Sequence, residues 1–224
     1  MKENISLKLL YLITTLLIIT VLIISTAFPF KNALYLFFFV FGIASWQKER
    51  LKDFFQKIKN PKVAVALYFL TGWAWMIFFE YQLGRLPFHP KPPVDIIIGL
   101  GFYLPYFILW LKLINRYQFN FLEVFYLAGL GRLIFDFFIT RKILTAAAVT
   151  TSALTAFLVV IVQALITLVL FGALTALPTL YLINQEDKHY NKPLKHYLFG
   201  LTTGFLAAGA LILWATILKI IFRT

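Results

Sequence analysis

Three ionisable residues within one apolar stretch, residues 121–139, are the first candidates for chemistry. Arg132 and Asp136 are four residues apart, so a helix would place them on one face within reach of each other. Near the middle of a membrane-spanning helix, Arg or Asp costs about 2.5–3.5 kcal/mol each, and such groups usually face a protein interior or a wet cavity. The spacing predicts an internal ion pair, which either fixes helix packing or forms a polar site for an ion, a headgroup or a proton.

Arg132 also suits the recognition of an anion, because its planar guanidinium can donate two parallel hydrogen bonds to a phosphate or a carboxylate. Gly129 and Gly131 come just before it in the sequence. Glycines at these positions allow either a close approach of neighbouring helices or a break into a re-entrant hairpin.

Glu123, the third ionisable residue of the stretch, is predicted to be structural. Asn120 followed three residues later by Glu123 is the pattern of a capping box, in which each side chain pairs with an amide at a helix start. A direct role of Glu123 as a general base is the alternative.

A further acid and base occur at the end of the apolar run 63–82, in the sequence Glu80-Tyr81-Gln82-Leu83-Gly84-Arg85. The spacing resembles the EExxxR motif of the CAAX-protease and bacteriocin-processing family of intramembrane proteases, with Tyr81 in place of the second acid. That family also has an FxxxH motif and another helix-embedded His, and this chain has neither, so it is not assigned to the family. The alternative interpretation of this motif is an ion pair between Glu80 and Arg85 at the membrane interface.

The residues available exclude several kinds of chemistry. The chain has no Cys, which excludes disulfides, thiol nucleophiles and Cys-ligated zinc. It has only three His, which also limits metal chemistry. Glu80, His89 and Asp95 are able to ligate zinc, but no spacing such as HExxH accompanies them. Signatures of serine hydrolases, P-loops and dinucleotide-binding folds are also missing. We therefore predict no metal site and no cofactor.

Composition places these candidates in a membrane. Of the 224 residues, 61% are hydrophobic and 13% charged, whereas soluble domains have about 25% charged residues. The apolar runs leave no room for a soluble domain, so we expect one integral membrane domain over residues 1–224. The net charge of +12 comes mostly from Lys and Arg at the ends of these runs, where they contact anionic lipid rather than nucleic acid.

The apolar runs predict an all-α transmembrane bundle of about seven spans, within a range of six to eight. The first two runs are 9–28 and 33–46. Pro105 in the run 94–114 predicts a kinked helix of the kind that often lines a cavity. The stretch 143–183 is twice the length that one span needs, but it lacks a turn signal until Pro178, so one long span is favoured over two.

The segment 47–62 is predicted to lie on the membrane surface, with an amphipathic helix over 47–59. Leu51, Phe54, Phe55 and Ile58 follow helical spacing, and six basic residues occur in the segment. Anionic lipid headgroups are therefore its expected partners. The positive charge places the segment and the N-terminus in the cytoplasm, and we expect a prokaryotic plasma membrane.

These features favour a transporter, a flippase-like protein or a carrier-associated protein, but they do not identify its cargo. Arg132 and Asp136 would form the intramembrane substrate site, with Glu80, Arg85 or Asp95 near its mouth.

Two alternatives belong to other classes of function. The first is an intramembrane enzyme, resembling a protease or a lipid hydrolase, in which Glu80 or Glu123 is the general base. The second is a non-catalytic subunit or assembly factor that packs against partner subunits or a second copy of itself. Its packing surface would consist of small residues, namely Gly200, Gly204, Ala207 and Ala208.

Overall fold

The part of the chain that the computed structural model describes is helical and contains no strand. It comprises residues 60–82, 91–149, 152–176, 178–179 and 192–222, together with positions 16, 47, 50, 53, 54, 57, 58 and 89. Six helices lie in these ranges: α1 (Pro61–Gln82), α2 (Pro92–Tyr117), α3 (Phe121–Phe138), α4 (Lys142–Ala148), α5 (Ala153–Ala176) and α6 (Leu194–Phe222).

Three of the described helices, α2, α5 and α6, are long and apolar enough to cross a membrane. Large apolar side chains such as Ile97, Leu154 and Leu213 are mostly exposed on them, as expected of surfaces that face lipid. The chain is thus consistent with an integral membrane protein.

The predicted number of about seven spans is not confirmed. The helix α4 has only seven residues, and α3 has 18 residues that include Glu123, Arg132 and Asp136. The predicted spans at 9–28 and 33–46 and most of the amphipathic helix at 47–59 lie outside the described residues. The stretch 143–183 contains one long helix, α5, preceded by the short α4.

Among the described helices, α3 has the central position, because it packs extensively on both α5 and α6. A Cβ on Gly131 would lie 2.6 Å from the carbonyl oxygen of Leu201 in α6, and a Cβ on Gly129 would collide with the carbonyl of Leu168 in α5. Both glycines thus permit close packing of backbones, and α3 is continuous where a re-entrant break was the other prediction. This packing fixes the position of Arg132, which follows Gly131 directly.

Helix α2 forms another wall of the same region. Pro92 and Pro93 begin it, since their fixed φ suits a first helical turn, and Gln118 ends it in a left-handed conformation with φ 52°. Pro105 lies inside the helix and has no N–H to donate to the carbonyl of Gly101. Aromatic residues on both sides of Pro105 face the interior beside Arg132.

Candidate functional site

Arg132 and Asp136 form the ion pair that their spacing predicts. The Nε of Arg132 donates to Oδ2 of Asp136 at 2.9 Å, and the two residues are only 7% and 5% exposed. On the far side of the carboxylate, the Thr140 hydroxyl lies 3.4 Å from Oδ1. The guanidinium carbon lies 4.4 Å from the centroid of the Phe171 ring in α5, which is a cation–π contact.

Among the described residues, the guanidinium of Arg132 has a hydrogen-bond partner on one edge only. Its Nε is the one nitrogen with a hydrogen bond to another described residue. The Nη1 amino group is buried and has no hydrogen-bond partner within the described ranges. A buried charged donor without an acceptor is unfavourable, so a ligand acceptor that reached this group would form a charge-assisted hydrogen bond.

Arg132 lines a cavity of about 110 Å³ that lies among α1, α2, α3, α5 and α6. It is the one charged residue in the described wall, and the rest of the wall consists of aromatic and aliphatic residues, Met76 and Gly204. The aromatic part comprises Phe102, Tyr103, Tyr106 and Phe171. The arrangement places an arginine side chain in the wall of a mostly apolar cavity.

The cavity wall also includes the phenol of Tyr106, whose hydroxyl proton is already donated in a hydrogen bond. Thr175 donates its hydroxyl proton to the carbonyl of Phe171 at 2.8 Å, and it has only one proton to give. Tyr106 Oη lies against Thr175 Oγ1 and must therefore be the donor of that hydrogen bond. The Tyr106 hydroxyl can accept a further bond from a ligand but has no second proton to donate.

A second charged cluster surrounds Glu123 at the start of α3. Asn120 and Glu123 form both hydrogen bonds of a capping box, at 2.8 and 2.9 Å. Lys192 Nζ donates to Oε1 of Glu123 at 2.7 Å and also contacts Oε2, and Tyr197 Oη donates to Oε1 at 3.0 Å. The carboxylate thus holds the helix start and the beginning of α6 together.

Asp95 is buried in the first turn of α2, away from the cavity wall. Its Oδ1 accepts the backbone N–H of His89 at 2.8 Å, and the backbone N–H of Lys91 donates to the ring Nδ1 of His89 at 3.0 Å. These bonds hold His89 against the first turn of α2. Asp95 is not among the residues that line the cavity beside Arg132.

The remaining predicted site residues are less fully defined. Glu80 belongs to α1, but the structure does not describe its side chain. Arg85 is not among the described residues. Among the described residues, no group of three or more His, Cys, Asp or Glu side chains is placed to hold a metal ion.

Several residues of the two clusters carried no recognised signal in the sequence. Phe171 and Thr175 belong to a stretch without charges, and the contact of Lys192 with Glu123 joins residues 69 positions apart. Tyr106 had an indirect signal, since it follows Pro105 in a helix that was expected to line a cavity.

No protein-family model, curated protein or solved structure matches this chain.

Proposed function

We propose that this protein is a carrier of the flippase type, which takes the polar headgroup of a lipid-like substrate into the bundle at Arg132. The observation that carries the proposal is the guanidinium in the wall of an otherwise apolar cavity, bonded through Nε alone within the described ranges. Polar groups inside membrane helices commonly mark substrate pathways. The apolar wall would receive the first carbons of the attached chain.

The enzyme alternative receives less support from the same geometry. Glu123, one of its two candidate bases, has both carboxylate oxygens engaged by Asn120, Lys192 and Tyr197. A carboxylate that is fully occupied by structural donors is poorly placed to abstract a proton from a substrate.

The subunit alternative drew on a stripe of small residues in α6, and that stripe has internal partners. A Cβ on Gly200 would lie 2.6 Å from Leu127 Cδ1 in α3, and a Cβ on Gly204 would lie 2.8 Å from the Leu127 carbonyl oxygen. Ala207 and Ala208 line the cavity. The stripe therefore serves packing within the chain, which favours the carrier over the subunit.

The proposal is tested by measuring the transbilayer movement of fluorescent single-chain lipids in vesicles that contain the purified protein. We expect the wild-type protein to accelerate this movement and the double variant Arg132→Leu/Asp136→Leu to be inert although folded. The exposed Arg116→Leu variant is the matched control, because it removes an arginine far from the cavity wall and should keep the rate. A double variant as active as the wild-type protein would contradict the proposal.

A further inference from the structure

The charge and the size of the cavity restrict the chemical class of its ligand, given the carrier function proposed above. We infer that the ligand presents an uncharged acceptor, such as an ester or ketone carbonyl, on an apolar chain, rather than a phosphate or a carboxylate. The charge of the ion pair selects the uncharged acceptor, and the free donors of Arg132 and the cavity volume are compatible with it.

The first step is the net charge of the site. Arg132 is the one charged residue in the described wall, and the carboxylate of Asp136 neutralises it at 2.9 Å. The phenols of Tyr103 and Tyr106 are uncharged near neutral pH. An anionic headgroup would therefore add an uncompensated negative charge to a buried apolar chamber, which is strongly unfavourable. An uncharged carbonyl adds none.

The second step is the pattern of donors. In this site Nε of Arg132 is bonded to Asp136, and the Tyr106 proton is donated to Thr175. The Nη1 and Nη2 groups of Arg132 are therefore the donors left for a ligand, and they can bond the lone pairs of a carbonyl oxygen. The same edge could also bond an anion, so it is the charge of the site that selects the uncharged acceptor.

The third step is size and shape. A cavity of about 110 Å³ is smaller than the engineered cavity of about 150 Å³ that takes up benzene in another protein. A group of only a few non-hydrogen atoms fills this volume, so an ester or ketone group fits within the cavity, whereas a sugar or phosphocholine would extend beyond it. The aromatic wall of Phe102, Tyr103 and Phe171 would contact the faces of a flat ester or ketone group.

The test compares three probes that share one chain and differ in headgroup: methyl decanoate, decanoate and decyl phosphate. Each is titrated into the full-length protein in detergent, and bound probe is counted by native mass spectrometry at about pH 8, where decanoate is ionised. We expect methyl decanoate to bind at least about tenfold tighter than either anion. We expect the Arg132→Leu/Asp136→Leu variant to lose this binding, while Arg116→Leu keeps it.

A charge switch makes the test sharper. Asp136→Asn keeps the shape of the side chain but leaves the charge of Arg132 uncompensated, so the preference should reverse in favour of decanoate. A preference of the variant for methyl decanoate as strong as that of the wild-type protein would overturn the inference.

The outcomes separate the two proposals. If an anion binds the wild-type protein tighter than the ester, and the double variant abolishes this, the inference on ligand charge fails while the carrier proposal stands. If no probe binds, or if the double variant binds as the wild-type protein does, both fail. Methyl acetate distinguishes a lipid from a free small molecule, since equal affinity for it would overturn the requirement for a chain.

Discussion

Helix α3 carries two charged clusters that differ in how completely their hydrogen bonds are satisfied. Near its start, the Glu123 carboxylate accepts bonds from Asn120, Lys192 and Tyr197. Further along the same helix, Arg132 has a partner for Nε, whereas Nη1 is buried without one in the described part. A saturated cluster has a sufficient structural explanation, while an unsaturated one beside a cavity still has a bond to offer a ligand.

The largest effect is expected from separating the two charges of the unsaturated cluster. Arg132→Leu or Asp136→Leu alone should lower stability by about 3–5 kcal/mol, because each leaves a buried charge without its counterion. The double Leu variant should be more stable than either single variant. The yield of monodisperse protein and the thermal unfolding temperature in detergent give the order of stability of the three variants. A double variant less stable than both single variants would show that the charges of Arg132 and Asp136 do not compensate each other.

The next effect concerns the packing that positions this cluster. Gly131→Ala should destabilise the fold by about 1–3 kcal/mol, since its Cβ would meet backbone atoms of α6 that cannot move independently. Gly209→Ala is the control, because its Cβ would meet only the ring of Phe135 at 3.2 Å. Thermal unfolding of the two variants gives the comparison, and equal losses would argue against the close crossing of α3 and α6.

At the saturated cluster, smaller losses of a purely structural kind are expected. Asn120→Ala should lower stability by about 0.5–2 kcal/mol through loss of the helix cap. Glu123→Ala should cost more than Asn120→Ala, because it also removes the partner of Lys192 and Tyr197. Transport per folded molecule should survive both changes. A Glu123→Ala protein that folds normally and is inactive would show that the acid has a direct role.

The smallest effect is expected at the hydroxyl pair in the cavity wall. Tyr106→Phe removes one hydrogen bond and should cost about 0.5–1.5 kcal/mol. Thr175→Val should cost more, because it leaves the Tyr106 proton without its acceptor. Chemical or thermal unfolding of the two variants checks the order, and the reverse order would contradict the assigned direction of the bond.

Local spacing in the sequence was enough to predict the contacts made within α3. Both the capping box at Asn120 and the ion pair at Arg132 join residues three or four apart, so helical periodicity alone brings them together. The contact of Phe171 with Arg132 joins two helices, and that of Lys192 with Glu123 joins the start of α3 to the residues just before α6. Both depend on how distant parts of the chain pack together, and no local pattern encodes that distance.

The number of spans was the least predictable feature, because hydropathy does not distinguish a helix that crosses lipid from one enclosed by protein. Helix α3 is apolar, yet many of its side chains are buried against α5 and α6, and it is only 18 residues long. Its three charged residues have partners inside the protein. The apolar run 121–139 is as consistent with a buried central helix as with a membrane span.

The central claim is that the Arg132 cluster binds a ligand and the Glu123 cluster does not. The most direct test is native mass spectrometry of lipid that co-purifies with the wild-type protein and with two double variants, Arg132→Leu/Asp136→Leu and Asn120→Ala/Glu123→Ala. We expect a bound lipid on the wild-type and Asn120→Ala/Glu123→Ala proteins, and none on folded Arg132→Leu/Asp136→Leu. The claim would be contradicted if Arg132→Leu/Asp136→Leu carried as much lipid as the wild-type protein. It would also be contradicted if the Asn120→Ala/Glu123→Ala protein alone lost the lipid.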